Sequence, residues 1–273
     1  MSDDFFHDEE QLHAVLQQIS GQLKHSLGNI YGALERIAPA QARDADEKLD
    51  LNASVLCQSY YRILRLANNL DDAVNLDAPV RTKMTNSDIV ALCRDVMQKA
   101  EGPAGLLGLE LEFLCEKQSH IITMNGDRLE RLLLNLLSNA FKFTPRGGKV
   151  TLEVRIGKTV ELVVTDTGRG IPPQRMEHIF ERYLVTDGPD TLPFGLGLGL
   201  PICRRIAQEH AGSILLTSEE GKGTAVTVSL PNKRSPIQEL STYKIDYAGG
   251  FNRTLVELAD ALPRQAFAQK HLD

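Results

Sequence analysis

The chain has 273 residues, of which 42% are hydrophobic, and a net charge of −6 at pH 7. This length allows one large domain or two modest ones with a sizeable core. The acidic balance argues against a nucleic-acid binder, which normally shows a basic stripe, and the acidic start argues against a secretory leader. Because no uncharged apolar run is long enough to cross a membrane, we expect a cytoplasmic protein with no direct membrane span.

Two amphipathic helices are predicted at the start of the chain. Over residues 8–38, apolar residues recur at alternating spacings of four and three, which is the seam of a coiled coil or helical bundle. Pro39 and the polar stretch 40–48 end this helix, and a second seam follows over residues 56–74. The two helices predict a hairpin at residues 8–78, and pairing of two hairpins into a four-helix bundle would bury their apolar faces. We therefore expect a homodimer.

A second domain of different character is predicted over residues 84–231. Mixed helices and antiparallel strands indicate an α/β sandwich with the helices on one face of the sheet, so the chain is of the α+β class. Residues 232–273 form a tail with a weak helical pattern, which fits a cap on this domain or a partner-binding segment. Helices are predicted over 87–99, 127–143 and 202–210, and strands over 109–113, 149–156, 160–166, 213–217 and 225–230.

The segment DTGRG, residues 166–170, follows a predicted strand. Its glycines let the backbone approach a ligand, and the Asp166 carboxylate can accept a hydrogen bond from an amine. Taken alone, the segment is equally well explained as a turn with an incidental acid.

The segment GLGLG, residues 195–199, precedes a predicted helix. Such a loop offers backbone N–H groups at a helix N-terminus, which suits a phosphate group, although a flexible hinge is the alternative. Neither glycine segment is a Walker A loop or a Rossmann fingerprint.

Two amides, Asn135 and Asn139, lie one turn apart on one face of a predicted helix. Amide oxygens can bind Mg²⁺ beside phosphate and water oxygens, and Lys142 follows at a position suited to phosphate charge. An exposed polar helix face is the alternative explanation.

The segments NLLSNAFKFTP, DTGRG, IFERY, GLGLGL and GKGT occur in this order along the chain. As a set they resemble the N, G1, F, G2 and G3 boxes of the sensor histidine kinase catalytic domain. The resemblance covers about residues 86–231. It implies the Bergerat-type (GHKL) ATP-binding fold, which heat-shock chaperones, type II topoisomerases and mismatch-repair ATPases share, and it implies ATP and Mg²⁺ as cofactors.

The resemblance also implies roles for single residues. Asn139 would hold Mg²⁺, and Lys142 would meet phosphate. Asp166 would receive the adenine amino group, and Phe143 would line the adenine pocket. Gly168 and Gly170 would shape that pocket. A lid over the phosphates would be formed by Gly195, Gly197 and Gly199, and Asn135 and Arg182 would contact the phosphates. Thr224 is the remaining cofactor-binding position.

His25 is the candidate phosphoacceptor, because it is the one histidine in the middle of the first predicted helix. Residues 23–29 resemble the family's H-box, and a neutral imidazole nitrogen can attack a γ-phosphorus in line. Without the downstream domain, His25 would be taken for a surface histidine.

Ser26 departs from the family pattern, which usually has Glu or Asp directly after the histidine. A serine hydroxyl is a poor base, so we expect slow autophosphorylation. Asn29 matches the position where related proteins orient a hydrolytic water, which suggests phosphatase activity; a polar surface residue is the alternative.

Three functions follow from these motifs. The first is a histidine kinase that passes the phosphoryl group from His25 to the receiver domain of a response regulator. The second is a degenerate kinase that serves as a response-regulator phosphatase or a nucleotide-binding scaffold. The third, another ATPase of the superfamily, is disfavoured by the hairpin and by Asn135, since such ATPases generally carry Glu there. Because we expect a cytoplasmic protein without a membrane span, we also expect its signal to come from a partner or a soluble ligand.

Overall fold

The computed structural model describes residues 2–74, 83–181, 197–236 and 252–271, with side chains from residue 14 onward. The chain divides into two compact units. The helical unit consists of Met1–Pro79 with Arg264–Asp273, and the mixed unit consists of Val80–Pro263. No helix in the described part of the chain combines the length and apolar character that a membrane crossing requires.

The helical unit is a hairpin of two long helices, α1 (Ser2–Ile37) and α3 (Glu47–Val74). The expected polar link between them is instead a short helix, α2 (Ala40–Ala45), and α3 begins earlier than the second apolar seam. The buried Arg43 ties α2 to α3, because its guanidinium donates to the Asp50 carboxylate.

Helix α1 carries two apolar seams side by side. The inner seam packs against α3 and includes the buried residues Leu27 and Leu34. The seam read from the sequence is the outer one, whose residues Ile19, Leu23 and Ile30 remain exposed. Exposed apolar residues of this kind on α1 and α3 are Val15, Ile19, Leu23, Ile30, Ile37, Leu51, Val55, Leu56 and Ile63.

The end of the chain packs into the helical unit through two 3₁₀ turns, Arg264–Phe267 and Gln269–His271. The Phe267 side chain is fully buried, and its ring lies 5.5 Å from the ring of Tyr61. Its carbonyl oxygen accepts a hydrogen bond of 2.9 Å from the Arg43 guanidinium. This contact joins residues that are 224 positions apart in sequence.

The mixed unit is a five-stranded sheet covered by helices. The sheet order is β2-β4-β5-β7-β6, formed by β2 (Glu110–Cys115), β4 (Lys149–Ile156), β5 (Thr159–Asp166), β6 (Ser213–Glu219) and β7 (Gly223–Pro231). The helices are α4 (Ile89–Leu107), α5 (Gly126–Phe143), α6 (Pro173–Met176), α7 (Gly199–Glu209) and α8 (Arg253–Leu258). The α+β class and the layered α/β arrangement predicted from the sequence are confirmed.

The strand pairing in the mixed unit differs from the sequence prediction in two ways. The pair β2–β4 is parallel, whereas the other strand pairs of the five-stranded sheet are antiparallel. A separate small sheet pairs β1 (Thr85–Asp88) with β3 (Ile121–Met124), neither of which was predicted. The helix predicted to begin at Ser87 begins instead at Ile89, because Ser87 belongs to β1. The Asp88 carboxylate is the N-cap of this helix, α4.

Helix α5 is the centre of the helix layer, in contact with α4, α7 and α8. Its side chains are buried almost all round, and its apolar residues Leu129, Leu132, Leu133, Leu136 and Leu137 match the predicted core positions. A helix enclosed in this way can place polar side chains inside the protein only where they have partners.

We expect Phe267→Ala to destabilise the helical unit by about 3–5 kcal/mol, because a fully buried ring is replaced by a cavity. Urea unfolding of the full chain measures this loss. Lys270→Ala, which changes an exposed residue of the same tail, is the control. Equal unfolding midpoints for Phe267→Ala and the unchanged chain would show that the tail does not stabilise the hairpin.

Candidate functional site

Asp166 lies at the end of β5. Its Oδ1 accepts a hydrogen bond of 2.8 Å from the backbone N–H of Gly168. Burial raises the pKa of this carboxyl group above its usual value, although hydrogen bonds from the backbone of Gly168 and Thr224 oppose that shift. The carboxylate is thus held in place as a hydrogen-bond acceptor.

The turn after Asp166 approaches its neighbours so closely that two positions require glycine. A Cβ at Gly168 would lie 2.5 Å from the carbonyl oxygen of Phe143, at the end of α5. A Cβ at Gly223, where φ is +113°, would overlap the carbonyl oxygen of Asp166. Any side chain at these positions would push the backbone segments apart. The two glycines therefore fix Asp166 beside the end of α5 and the start of β7.

The predicted amides of α5 face the beginning of α7. A Cβ at Gly199 would lie 3.4 Å from Oδ1 of Asn135 and 4.0 Å from Nδ2 of Asn139. Asn135 is fully buried and Asn139 is half-buried. The structure therefore brings both amides to one face and places the last glycine of the GLGLG segment against them.

Helix α7 begins at Gly199, and the residue at its N-cap position, Leu198, supplies no side-chain cap. Gly197, two residues before the helix, has a positive φ of 66°. The backbone N–H groups of the first turn of a helix attract anions, so the start of α7 is suited to a phosphate group beside Asn135 and Asn139.

Two cations flank the aromatic ring of Phe143. The Lys142 ammonium lies 5.4 Å and the Arg169 guanidinium 4.7 Å from the ring centroid. Arg169 was not predicted as a site residue, although it stands between the two glycines of the DTGRG segment. Its backbone N–H also donates to the carbonyl oxygen of Phe143 at 3.2 Å. Positive charge at the end of α5 suits an anionic ligand.

The GKGT segment is tied to the turn after β5. Ser218 Oγ, which sequence reasoning missed, lies 2.9 Å from Thr224 Oγ1 and accepts a hydrogen bond from the backbone N–H of Ile171. The Gly221 N–H donates to the carbonyl oxygen of Arg169 at 2.8 Å. A Cβ at Gly170 would overlap the backbone of Glu219. A side chain at this position would therefore separate the turn after β5 from the end of β6.

Two predicted site residues, Arg182 and Gly195, lie outside the described residues. The other predicted nucleotide-binding residues form two neighbouring groups that α5 connects. One group is Asn135, Asn139 and Gly199, with Gly197 two residues before Gly199 in the chain, and the other is Lys142, Phe143, Asp166, Gly168, Gly170 and Thr224.

The three predicted catalytic residues, His25, Ser26 and Asn29, are exposed on α1 of the helical unit. Beside them α1 is fixed to α3, because Lys24 forms an ion pair with Asp71 and Ser20 Oγ donates to the carbonyl oxygen of Ala67 at 3.0 Å. The imidazole of His25 is therefore open to solvent on a helix that is held in place.

Asn139 of α5 and the start of α7 together suit Mg²⁺ and a polyphosphate. Among the residues that the structure describes, no three His, Cys, Asp or Glu side chains are arranged to hold a metal ion. An amide oxygen can bind Mg²⁺ beside phosphate and water oxygens. Asn139 carries an amide next to the space that Gly199 leaves without a side chain, and the atom nearest a Cβ there is its Nδ2. Binding through the oxygen would use the other end of the same amide.

Comparison with known proteins identifies the family of this fold. Residues 124–234 match the family described as histidine kinase-, DNA gyrase B-, and HSP90-like ATPase. The sensor protein SrrB of Staphylococcus aureus strain MRSA252 is 32% identical over 220 residues, which cover 79% of this chain and 37% of that protein. SrrB of strain NCTC 8325 is 31% identical over the same shares of both chains. The chain thus spans little more than a third of the length of these relatives.

Solved structures agree with this relationship. The crystal structure of full-length ShkA in complex with AMPPNP matches with a TM-score of 0.65 and 26% identity, over 80% of this chain and 45% of that chain. A nucleotide-free form of the catalytic domain of the histidine kinase ThkA matches with a TM-score of 0.50 and 26% identity, over 56% of this chain and 99% of that chain. The chain therefore contains an ATPase domain of the histidine kinase-, DNA gyrase B- and HSP90-like family and is related to sensor histidine kinases.

Proposed function

We propose that the chain is a sensor-type histidine kinase that binds Mg-ATP, phosphorylates His25 and passes the phosphoryl group to the receiver domain of a response regulator. The observation that carries this proposal lies in the C-terminal half of α5. There the Asn135 and Asn139 amides meet the start of α7, and the last residue of the helix, Phe143, meets the turn after Asp166. We assign phosphotransfer and dimerisation to residues 8–78 and nucleotide binding to residues 84–231.

The adenine end of the nucleotide is assigned to the Asp166 turn. The Asp166 carboxylate would accept a hydrogen bond from the exocyclic amino group, and the Phe143 ring would cover the base. Supporting this, Gly168 leaves the turn without a side chain, while its N–H orients the carboxylate. Gly170 and Thr224 keep the turn and the GKGT segment together.

The phosphate end is assigned to the start of α7. Its N–H groups, the Lys142 ammonium and the glycines Gly197 and Gly199 would bind the phosphate oxygens. Arg182 and Gly195 belong to the same assignment from the sequence. Asn139 would hold Mg²⁺, which spreads the negative charge of the transferring phosphoryl group when it is bound.

Transfer to His25 requires an imidazole nitrogen with a free lone pair. That nitrogen forms a bond to the γ-phosphorus, the bond between this phosphorus and the bridging oxygen breaks, and ADP leaves with the electron pair. The proton on the other ring nitrogen must then be lost for the neutral phosphohistidine to form. Ser26 is a poor base for that proton, so the proposal includes slow autophosphorylation.

A degenerate kinase is the second candidate, favoured by Ser26 itself. In this case the chain serves as a response-regulator phosphatase, with the exposed Asn29 orienting water, or as a nucleotide-binding scaffold. A scaffold has little need for Lys142 and the full glycine segment, which is why active transfer is preferred.

A homodimer through the helical unit is part of the proposal. The outer seam of α1 and the second helix α3 expose large apolar side chains, including Ile30 and Leu56. Exposed apolar side chains that recur along a helix at coiled-coil spacing favour packing against a further helix. Burying them in a four-helix bundle would remove this surface from water.

Incubation of the purified chain with radiolabelled ATP and Mg²⁺ tests the transfer. We expect an acid-labile, base-stable label that His25→Gln abolishes and that the exposed control His271→Gln retains. Ser26→Glu should raise the labelling rate by at least about tenfold, because it restores a base next to the histidine. Normal labelling of His25→Gln would remove His25 from the mechanism, and a chain that binds ATP without any label would favour the degenerate kinase.

Asp166→Asn should weaken binding of adenine nucleotides by about 10- to 100-fold, since a hydrogen bond to a charged group is lost. The folded protein should not lose stability. The pKa of Asp166 is raised in the folded state, so its ionisation costs stability once the pH rises through that pKa. Calorimetric titration and urea unfolding at pH 7 measure the two effects.

The raised pKa of Asp166 also predicts how nucleotide affinity depends on pH. For the unchanged chain, nucleotide affinity should fall as the pH drops through the raised pKa of Asp166, because the protonated carboxyl is a weaker acceptor. Nucleotide affinity that is unaffected by Asp166→Asn would place adenine elsewhere.

Ile30→Glu should convert the dimer into a monomer, because a charge on the outer seam would be buried in the bundle. Light scattering after size exclusion measures the mass. Gln22→Glu, at an exposed polar position of α1, is the control. A chain that is monomeric before any substitution would contradict the dimer.

A further inference from the structure

Helix α8 of the C-terminal tail lies against α5 in the mixed unit. Five consecutive residues of α8, from Thr254 to Leu258, are buried. Four of them are apolar or carry a hydroxyl group, but Glu257 is an acid with only 2% of its surface exposed. A buried carboxylate is costly unless its oxygens have partners.

Glu257 directs its two oxygens to two donors of α5. Oε2 lies 3.4 Å from Nδ2 of Asn135, and Oε1 lies 3.5 Å from Nε of Arg131. The contact with Asn135 is a hydrogen bond and the contact with Arg131 is an ion pair, and a carboxylate can make both at once because each of its oxygens carries negative charge and accepts. Glutamine could not, since one end of its amide would set an N–H against a donor.

These contacts determine the orientation of the Asn135 amide. Nδ2 faces the Arg131 carbonyl oxygen at 3.0 Å as well as Glu257, and both of these groups only accept hydrogen bonds. The amide nitrogen must therefore point to them. The oxygen then points the other way, to the start of α7, where it would lie 3.4 Å from a Cβ at Gly199.

We propose that Glu257 is a positioning residue of the nucleotide site, which holds the Asn135 amide so that its oxygen faces the start of α7. This inference rests on the proposed function, because the start of α7, which this oxygen faces, is where the proposed function assigns the phosphates. There an oxygen can accept hydrogen bonds from metal-bound water or backbone N–H groups. An inverted amide would instead present N–H groups to the same space. The tail thus completes a site whose other residues lie more than 30 positions earlier in the sequence.

The matched control lies on the same helix. Arg253 also anchors α8 to α5, through ion pairs of 2.8 Å with Glu130 and 3.3 Å with Asp127, and neither of these partners touches Asn135 in the contacts described. Arg253→Gln therefore weakens the docking of α8 and leaves the Asn135 contact in place. A role of Glu257 in docking alone would make both substitutions equivalent.

The test measures dissociation constants for Mg-AMPPNP and for adenosine by calorimetry with the full chain. Glu257→Gln should raise the Kd for Mg-AMPPNP by about tenfold, as expected for a hydrogen bond to a charged group, and should change the Kd for adenosine by less than about twofold. Glu257→Asp, which keeps the charge but withdraws it by one methylene, should give the same pattern and replaces Glu257→Gln if that variant does not fold. Arg253→Gln should leave both constants near those of the unchanged chain.

A double-mutant cycle separates positioning from docking. If Glu257 acts through Asn135, Glu257→Gln should have no further effect on the Kd for Mg-AMPPNP in an Asn135→Ala background. Additive losses, or equal losses for Arg253→Gln and Glu257→Gln, would overturn the proposal. A lower rate of ATP hydrolysis with unchanged nucleotide affinity would also overturn it and would make Glu257 a base.

The outcomes distinguish this inference from the proposed function. An unchanged chain that binds Mg-AMPPNP, together with a Glu257→Gln variant that binds it equally well, contradicts the inference alone. An unchanged chain that binds no adenine nucleotide contradicts the proposed function and this inference with it.

Discussion

The mixed unit depends on the close approach of three backbone segments at the end of α5. Gly168 lets the turn after β5 come within contact of the Phe143 carbonyl oxygen, and Gly223 lets the start of β7 approach the carbonyl oxygen of Asp166. A single Cβ at either glycine would separate these segments. Everything assigned to the adenine end of the nucleotide follows from this contact, since it fixes Asp166 relative to the helix that carries Asn139.

At Asp166 the requirements of folding stability and of ligand binding conflict. Burial raises the pKa of its carboxyl group, so the ionised form is less favourable in the folded protein than in water. That ionised form is the acceptor that an adenine amino group needs. Proteins often keep a destabilising group of this kind where binding requires it. The buried carboxylate of Glu257 is a related case, although there the Arg131 guanidinium and the Asn135 amide supply partners.

Local patterns in the sequence predicted the main elements and most of the described site. The run of leucines in α5 and the alternation in β4, β5 and β7 are strong signals of secondary structure, because each of these elements buries one or more of its faces. Strand β1 was missed because its sequence, TNSD, resembles a turn or a cap. It is held by distant partners instead, such as the Ser235 carbonyl oxygen that accepts from the Asn86 amide. Contacts of this kind leave no periodic signal.

The tail shows the same limit more clearly. Its weak helical pattern predicted α8, but nothing near Glu257 in sequence indicates that it reaches Asn135, 122 residues earlier. Likewise, Phe267 is an ordinary aromatic residue until the structure places it against Tyr61. The sequence revealed one apolar seam on α1, the exposed one, because the inner seam includes Ser20, Lys24 and Tyr31 and is less uniformly apolar.

A crystal structure of the chain with Mg²⁺ and AMPPNP tests the central claim most directly. We expect the adenine amino group within hydrogen-bond distance of the Asp166 carboxylate, the metal ion bound by the Asn139 amide oxygen, and the phosphates at the start of α7. A nucleotide bound away from these three segments, or one whose base lies at α7 and whose phosphates lie at Asp166, would contradict it.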